Sequence, residues 1–469
     1  MTPYEAIREH FDFPFELRPY QIRELNDLCV FDRSGNYAEP GTGKTTMSTH
    51  QALHWNITRP GHQWLIVMPP ILLLQWELWL ASVKHKANGK APTTTVYAGT
   101  PKVRKALPLS SEFVLLSYGI LKNDFDYLYA YFDRKSMGVI ADEATAIKNQ
   151  ESQTHKAIAL MAEGRPLQLL TGTPVNKPGD SYAYIKLIAP EIYRNRRHFD
   201  RIHVLEKDEY ENVVAWQNLE LMAQNMRVQT SRILRREVRK ELPPVIYTPR
   251  NYSLDPAHLA LYKRLAEERL LEFADGTEID ATSAQALRSA LQQIVVNWGE
   301  FANDPCCRPA ILDIIDEVME ETGGKKLVVV ANFRRSNRYL LGALKKYGAA
   351  AIYGEVTPNG KQDALRSFIT DPACQILLVQ PESAGYGIDG LQHVASDMLI
   401  AEAPTTPTPF QQVVARLDRD GQPDVVHVRV AIAQGTVQVG MFNSLLKNDA
   451  LANSVQGGYE DLRKSVYGA

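Results

Sequence analysis

The chain has 469 residues, 45% hydrophobic and 23% charged, too many for one ordinary core and enough for about two to four units. Its formal net charge of −2 excludes a protein coated in nonspecific positive charge, but leaves room for a local basic channel. Cys29, Cys306, Cys307 and Cys374 form no CxxC pair, the N-terminus has no signal-peptide core, and no apolar run is long enough to span a bilayer. The expectation is a soluble, cytoplasmic protein without a zinc site.

In chain order, the first strong signal is Ala38-Glu39-Pro40-Gly41-Thr42-Gly43-Lys44-Thr45, a phosphate loop with Ala where the first Gly usually stands. Gly41 and Gly43 let backbone N–H groups approach phosphate oxygens. Lys44 reaches the β- and γ-phosphates, Thr45 offers a hydroxyl to Mg²⁺, and the following helix points its positive end at the anion. Pro40, Thr42 and Thr46 complete the expected loop contacts, and the expected cofactors are ATP and Mg²⁺.

Trp64 to Met68 reads as a buried strand ended by Pro69-Pro70, and Leu72 to Leu80 as a helix. Phe113 to Tyr118 is another strand. Met137 to Glu143 is an apolar strand ending in two acids, the form of a Walker B element. Asp142 would hold Mg²⁺ through water and Glu143 would polarise the attacking water. An acidic pair after a strand is often a solvated turn; downstream of a phosphate loop it reads as catalytic. Leu169 to Pro174 closes in a turn whose Thr171 and Thr173 hydroxyls could sense the γ-phosphate, or could belong to an ordinary strand end. Strands Lys326–Val330, Gln375–Val379, Met398–Ala401 and Val425–Val430 follow further on. Strands alternating with helical patterns imply parallel sheets covered by helices, an α/β fold.

Taken together, these motifs resemble helicase superfamily 2, and within it the Swi/Snf-type DNA-dependent translocases. Leu17-Arg18-Pro19-Tyr20-Gln21 is similar to that family's adenine-reading motif, which implies Arg18 and Gln21 at the base. Asp142 to Asn149 and Thr171 to Asn176 resemble its Walker B segment and third motif. Leu234-Arg235-Arg236 with Glu241-Leu242-Pro243-Pro244 resembles a segment near the lobe junction. Ala384 to Leu391 looks like motif V, which implies Gly387 and Asp389 at the nucleotide. Gln412 to Gln422 looks like motif VI, which implies Arg416 and Arg419 facing the nucleotide across a cleft. Their i, i+3 spacing would put both on one helix face.

The resemblance implies two tandem RecA-like lobes: lobe 1 over residues 1–176, a helical protrusion and junction over 177–245, a helical protrusion of lobe 2 over 246–320, and lobe 2 with a helical tail over 321–469. It also implies double-stranded DNA as partner, contacted in lobe 1 by Pro69, Gln75, Trp76, Ser117, Tyr118, Thr171 and Thr173, at the junction by Arg235 and Arg236, and in lobe 2 by Ser383 and Ala384. Trp76 and Tyr118 could equally be core aromatics. Basic clusters at Arg194-Arg196-Arg197-Arg201 and Arg232-Arg235-Arg236-Arg239-Lys240 could hold phosphates or be solvated faces.

Four positions depart from the family pattern. Thr145 stands for the usual His, Ala38 and Ala415 for glycines, and Glu402 to Pro407 lacks the usual aromatic. None removes Lys44, Asp142, Glu143 or Arg419, so an active ATPase is expected. Duplex translocation leads. A strand-separating DNA or RNA helicase would need a wedge hairpin, and none is visible in the sequence. A nucleotide-controlled remodeller of a protein complex is the third reading. A monomer and a bacterial or viral source are expected.

Overall fold

The structure, a computed structural model, describes residues 1–133, 135–238, 243–268, 270–272, 278–280, 284–298, 308–384, 388, 390–402, 407–419 and 421–440. The chain divides into two compact units, whose main spans are Met1–Arg239 and Lys240–Ala450.

Besides the short antiparallel pair Phe11–Asp12 and Lys84–His85, the described strands of the first unit are β1 (Arg33–Asn36), β2 (Gln63–Met68), β3 (Thr94–Val96), β4 (Phe113–Ser117), β5 (Met137–Asp142), β6 (Leu167–Leu170), β7 (Val204–Lys207), β8 (Val213–Trp216) and β9 (Thr230–Ser231). Seven form one sheet in the order β9-β1-β6-β5-β2-β4-β3, and all its pairs are parallel. The runs in β4 and β5 are fully buried, as expected for parallel strands covered on both faces. Trp64 of β2 lies opposite Gly138 of β5. A Cβ at position 138 would meet the Trp64 ring at 2.4 Å, so glycine is required there. The Trp64 indole also donates to Ala52 O and Asn56 Oδ1, both at 3.1 Å. Both acceptors lie in α1 (Lys44–Thr58), so this ring fastens the helix after the phosphate loop to the sheet. The next helix, α2 (Leu73–Ser82), follows β2.

The second unit has its own six-stranded parallel sheet. Its strands are β10 (Val245–Tyr252), β11 (Leu327–Val330), β12 (Ala350–Ile352), β13 (Ile376–Val379), β14 (Asp397–Ile400) and β15 (Val426–Ala433), in the order β10-β15-β14-β11-β13-β12. Two α/β units with parallel sheets are thus present, each with its own hydrophobic core.

Two segments read as helical from sequence contain strands. Residues 177–245 hold the helices Ser181–Ile188, Arg196–His203 and Leu219–Arg227, but also the antiparallel hairpin β7–β8, and β9, which extends the first sheet. These strands are only two to four residues long, too short for a periodic signal. Residues 246–320 begin inside β10, which pairs with β15 over eight positions. Pro249 masks that strand in the sequence; it is tolerated because β10 is an edge strand. The expected C-terminal tail beyond residue 440 lies outside the described residues. Among the described residues, no helix is long and apolar enough to cross a membrane.

Candidate nucleotide site

The first unit gathers its motif residues at the C-terminal ends of its strands. The phosphate loop follows β1, Asp142 ends β5, the Thr171 turn follows β6, and Ser117 ends β4. This edge of a parallel sheet is where α/β folds bind ligands.

Gly41 and Gly43 have φ of 81° and 93°, left-handed values that favour glycine. Gly43 is doubly constrained, because a Cβ there would lie 2.2 Å from Gln21 Nε2. That amide donates to Thr42 O at 2.8 Å, and Gln21 Oε1 accepts from Arg18 N at 2.8 Å. The expected base-reading glutamine therefore also braces the loop. Ala38 is not among the positive-φ residues and packs with Met47 and Ile233, so an alanine methyl fits where the pattern has glycine. Lys44 Nζ donates to Ala38 O at 2.9 Å. Burial lowers the Lys44 pKa, opposed by the charges of Glu143 and Asp142.

Asp142 is 5% exposed. Its Oδ1 accepts from Glu143 N at 2.8 Å and its Oδ2 accepts from Trp76 Nε1 at 2.7 Å. Burial raises its pKa, while the Trp76 hydrogen bond and the Lys44 charge act downwards. Tyr118 Oη donates to Asp142 O at 2.8 Å, and Tyr184 Oη donates to Ala144 O at 3.1 Å. Three aromatic donors from three helices thus grip the Walker B segment. Glu143 itself has φ 51° and ψ 55°, a strained left-handed conformation for a glutamate. Such strain persists only where surrounding contacts enforce it, and the aromatic donors supply them. Thr145 makes a long contact of 3.4 Å to Glu143 O.

Several expected nucleic-acid contacts are placed elsewhere than at the surface. Trp76 is 1% exposed and points to Asp142; its apolar ring and single N–H suit an interior hydrogen bond. Ser117, Tyr118, Thr171 and Thr173 are also buried. Ser117 Oγ accepts from Ile120 N, capping a helix, and Thr171 Oγ1 accepts from Thr173 N. Gln75 is exposed on α2, and Pro69 and Ser383 are half-buried. The side chains of Arg235, Arg236 and Ala384 lie outside the described residues, as do Gly387 and Asp389. Arg194, Arg197 and Arg201 are exposed, whereas Arg196 is tied to Asp200 at 2.7 Å.

Arg232, expected in a phosphate-holding cluster, turns inward instead. It is 14% exposed and donates to Tyr37 O at 2.6 Å and Gly172 O at 2.9 Å. Sequence reasoning missed this role because its partners lie 195 and 60 residues away.

In the second unit, the helix Pro407–Val414 ends before the motif VI arginines. Arg416 lies in the following turn and Arg419 in a bend, so a shared helix face does not relate them. Gln422 holds this turn, donating from Nε2 to Leu417 O at 3.1 Å and Ala395 O at 2.9 Å.

A phosphate loop beside paired acids, with a second parallel sheet following, defines a P-loop nucleotide-binding core built from two RecA-like units. The chain belongs to the SNF2-related domain family, whose match spans residues 37–301. It is 26% identical over 416 residues to an uncharacterized ATP-dependent helicase of Mycoplasma genitalium, covering 85% of this chain and 38% of that protein. It is 22% identical to a DNA repair and recombination protein RAD54-like of Drosophila persimilis, covering 96% of this chain and 64% of that one. The chain therefore spans less than two thirds of either relative. A solved SWI2/SNF2 ATPase core of Sulfolobus solfataricus, in complex with double-stranded DNA, matches at 20% identity and a TM-score of 0.44, covering 97% of this chain and 98% of that one.

Proposed function

We propose that this chain is a DNA-stimulated ATPase that moves along duplex DNA without parting its strands. The observation that carries the ATPase reading is the Lys44, Asp142 and Glu143 cluster, held at one sheet edge by buried donors. Family membership supports the choice of duplex DNA.

Lys44 supplies positive charge to the β- and γ-phosphates, and the glycine-rich backbone supplies N–H donors. Glu143 orients and deprotonates the attacking water. A divalent cation fits this site. Asp142 is a buried carboxylate already oriented by Trp76 and the Glu143 N–H, and Thr45 lies in the first turn of α1. With Thr45 it would hold Mg²⁺, which when bound neutralises developing phosphate charge. Arg416 and Arg419 would meet the γ-phosphate from the second unit on closure. Gln75, Arg194, Arg197 and Arg201 offer surface groups for backbone contact.

The strand-separating alternative gains a hairpin, β7–β8, that the sequence did not reveal. Its tip is exposed, with Tyr210 at 77%. Yet between Val204 and Asn212 it carries Glu206, Asp208, Glu209 and Glu211 against Lys207 alone. Such a surface repels phosphates and suits a strand wedge poorly.

Steady-state ATPase assays with duplex DNA, single-stranded DNA, RNA or no polymer test the reading. Stimulation by duplex DNA is expected to be strongest and to fall steeply with salt. Stimulation by RNA or single strands alone would refute it.

A further inference from the structure

We propose that Arg232 is a positioning residue that couples the phosphate loop to the Thr171–Asn176 turn and to the segment by which the chain leaves the first unit. The proposal rests on reading the Lys44 pocket as the nucleotide site.

The backbone supplies the first half of the argument. Residues 229–233 run beside β1 and onward along the phosphate loop. Gly35 N donates to Gln229 O at 3.1 Å, Tyr37 N to Ser231 O at 2.8 Å, and Glu39 N to Ile233 O at 3.0 Å. The last of these donors belongs to the phosphate loop itself. Beyond Ile233 come only the short helix Arg235–Val238 and the start of the second unit. One continuous strip of chain therefore joins the loop that grips phosphate to the exit of the unit.

The Arg232 side chain locks that strip crosswise. Nη1 donates to Tyr37 O at 2.6 Å and to Gly172 O at 2.9 Å, and Nη2 lies 3.8 Å from Glu39 Oε1. The guanidinium thus bridges the strand before the phosphate loop, the loop and the turn after β6. Gly172 lets this turn lie against the phosphate loop, because a Cβ there would meet Pro40 Cδ at 2.7 Å. Ile233 packs with Ala38 and Met47, at the loop and at the start of α1. The Arg232 charge is also felt by Lys44, whose ammonium it disfavours.

The physical consequence follows from guanidinium geometry. The two N–H groups of Nη1, fixed in the guanidinium plane, hold two carbonyls at once, a geometry that the rotatable ammonium of lysine does not impose as rigidly. Any shift of Glu39 and Pro40 on phosphate binding must move both Gly172 and the 229–233 strip, or break these bonds. Breaking them costs a buried guanidinium two of its carbonyl acceptors, which is unfavourable. Moving together is therefore favoured, and nucleotide occupancy is passed to the exit segment.

Hydrogen exchange on the full chain reads the Tyr37 and Glu39 donors of these bonds in the 36–46 peptide, while the 229–238 amides report whether the exit segment is held with them. The probe is a non-hydrolysable ATP analogue with Mg²⁺, added to the wild type, Arg232→Gln and Arg232→Lys. In the wild type the analogue is expected to slow exchange in both the 36–46 and 229–238 peptides. In Arg232→Gln it should protect 36–46 alone, and Arg232→Lys should fall between. Turnover should show the same split, with DNA-stimulated kcat down about tenfold and KM for ATP changed by less than about threefold. Protection of both peptides in Arg232→Gln overturns the proposal, as does a wild type that protects 36–46 without 229–238. Protection of neither peptide in the wild type overturns the nucleotide-site reading and the proposal with it. Exchange in β4, remote from Arg232 in the sheet, reports whether Arg232→Gln is folded; if it is not, Arg232→Lys decides on the same criteria.

Discussion

Two buried carboxylates, one in each unit, stand at the C-terminal ends of interior strands. Asp142 ends β5, and Glu402 follows β14. Asp142 has a tryptophan N–H on one oxygen, a backbone N–H on the other, and Lys44 acting on it. Glu402 is 0% exposed and accepts from Asn332 N at 2.8 Å and Phe333 N at 3.1 Å, with Ser336 Oγ at 2.5 Å. These partners tie it to the start of the helix Arg334–Ala343, and no cation is among the groups that act on it. Burial pushes its pKa up to about 8. Position on the sheet alone thus does not make a carboxylate catalytic; its neighbours decide. One acid sits under the charge of a lysine with an indole N–H on one oxygen, and the other closes a helix end.

The comparison breaks most visibly at turnover. Asp142→Asn, Glu143→Gln and Lys44→Ala are each expected to lower kcat by about 10³-fold or more, with Glu143→Gln still binding ATP. Glu402→Gln should leave kcat within about twofold, since the groups that hold this acid are Ser336 and two backbone amides. Steady-state ATPase and nucleotide-binding titrations check both, and equal losses at Asp142 and Glu402 would erase the distinction. In the second unit the residue proposed to act on the nucleotide is Arg419. Arg419→Ala should cost about 10³-fold in kcat while nucleotide affinity falls far less. Equal loss of both would indicate a structural part for this arginine.

A finer test concerns the donor on Asp142. Trp76→Phe keeps the buried ring but removes the N–H, and should weaken divalent-metal binding in the nucleotide complex about tenfold. Mn²⁺ binding followed by electron paramagnetic resonance measures this without turnover; unchanged affinity would reduce Trp76 to packing. The smallest effect is on stability. Between its ordinary value of 4.5 and about 8, folded Glu402 keeps a proton that the unfolded chain has lost. Its contribution to stability therefore falls as pH rises through that window, by on the order of 1 kcal/mol per pH unit. Thermal melts from pH 5 to pH 9 should show a shallower decline in Glu402→Gln than in the wild type.

The sequence makes the nucleotide site legible because its chemistry is contiguous. Gly41 to Thr45 and Asp142-Glu143 each carry their meaning in adjacent residues, and apolar runs such as Trp64 to Met68 give the parallel sheets. What escaped depends on distant pairing. Arg232 is one arginine in a basic run until β9 aligns it with Tyr37. Trp76 sits on α2 between exposed Gln75 and Glu77, and only the fold shows that its face turns to Asp142. The β7–β8 hairpin hides among charged residues, and its turn uses Glu211 at φ 63°, a position where glycine would have been the sequence signal. In motif VI the i, i+3 argument assumed a helix that ends at Val414.

Triplex displacement separates movement along duplex DNA from parting of its strands. A labelled third strand is annealed to duplex DNA and its release is followed with a forked duplex in parallel. ATP-dependent third-strand release by the wild type is expected, with none by Glu143→Gln and a fork that stays closed. Fork opening driven by ATP, or third-strand release that persists in Glu143→Gln, would contradict it.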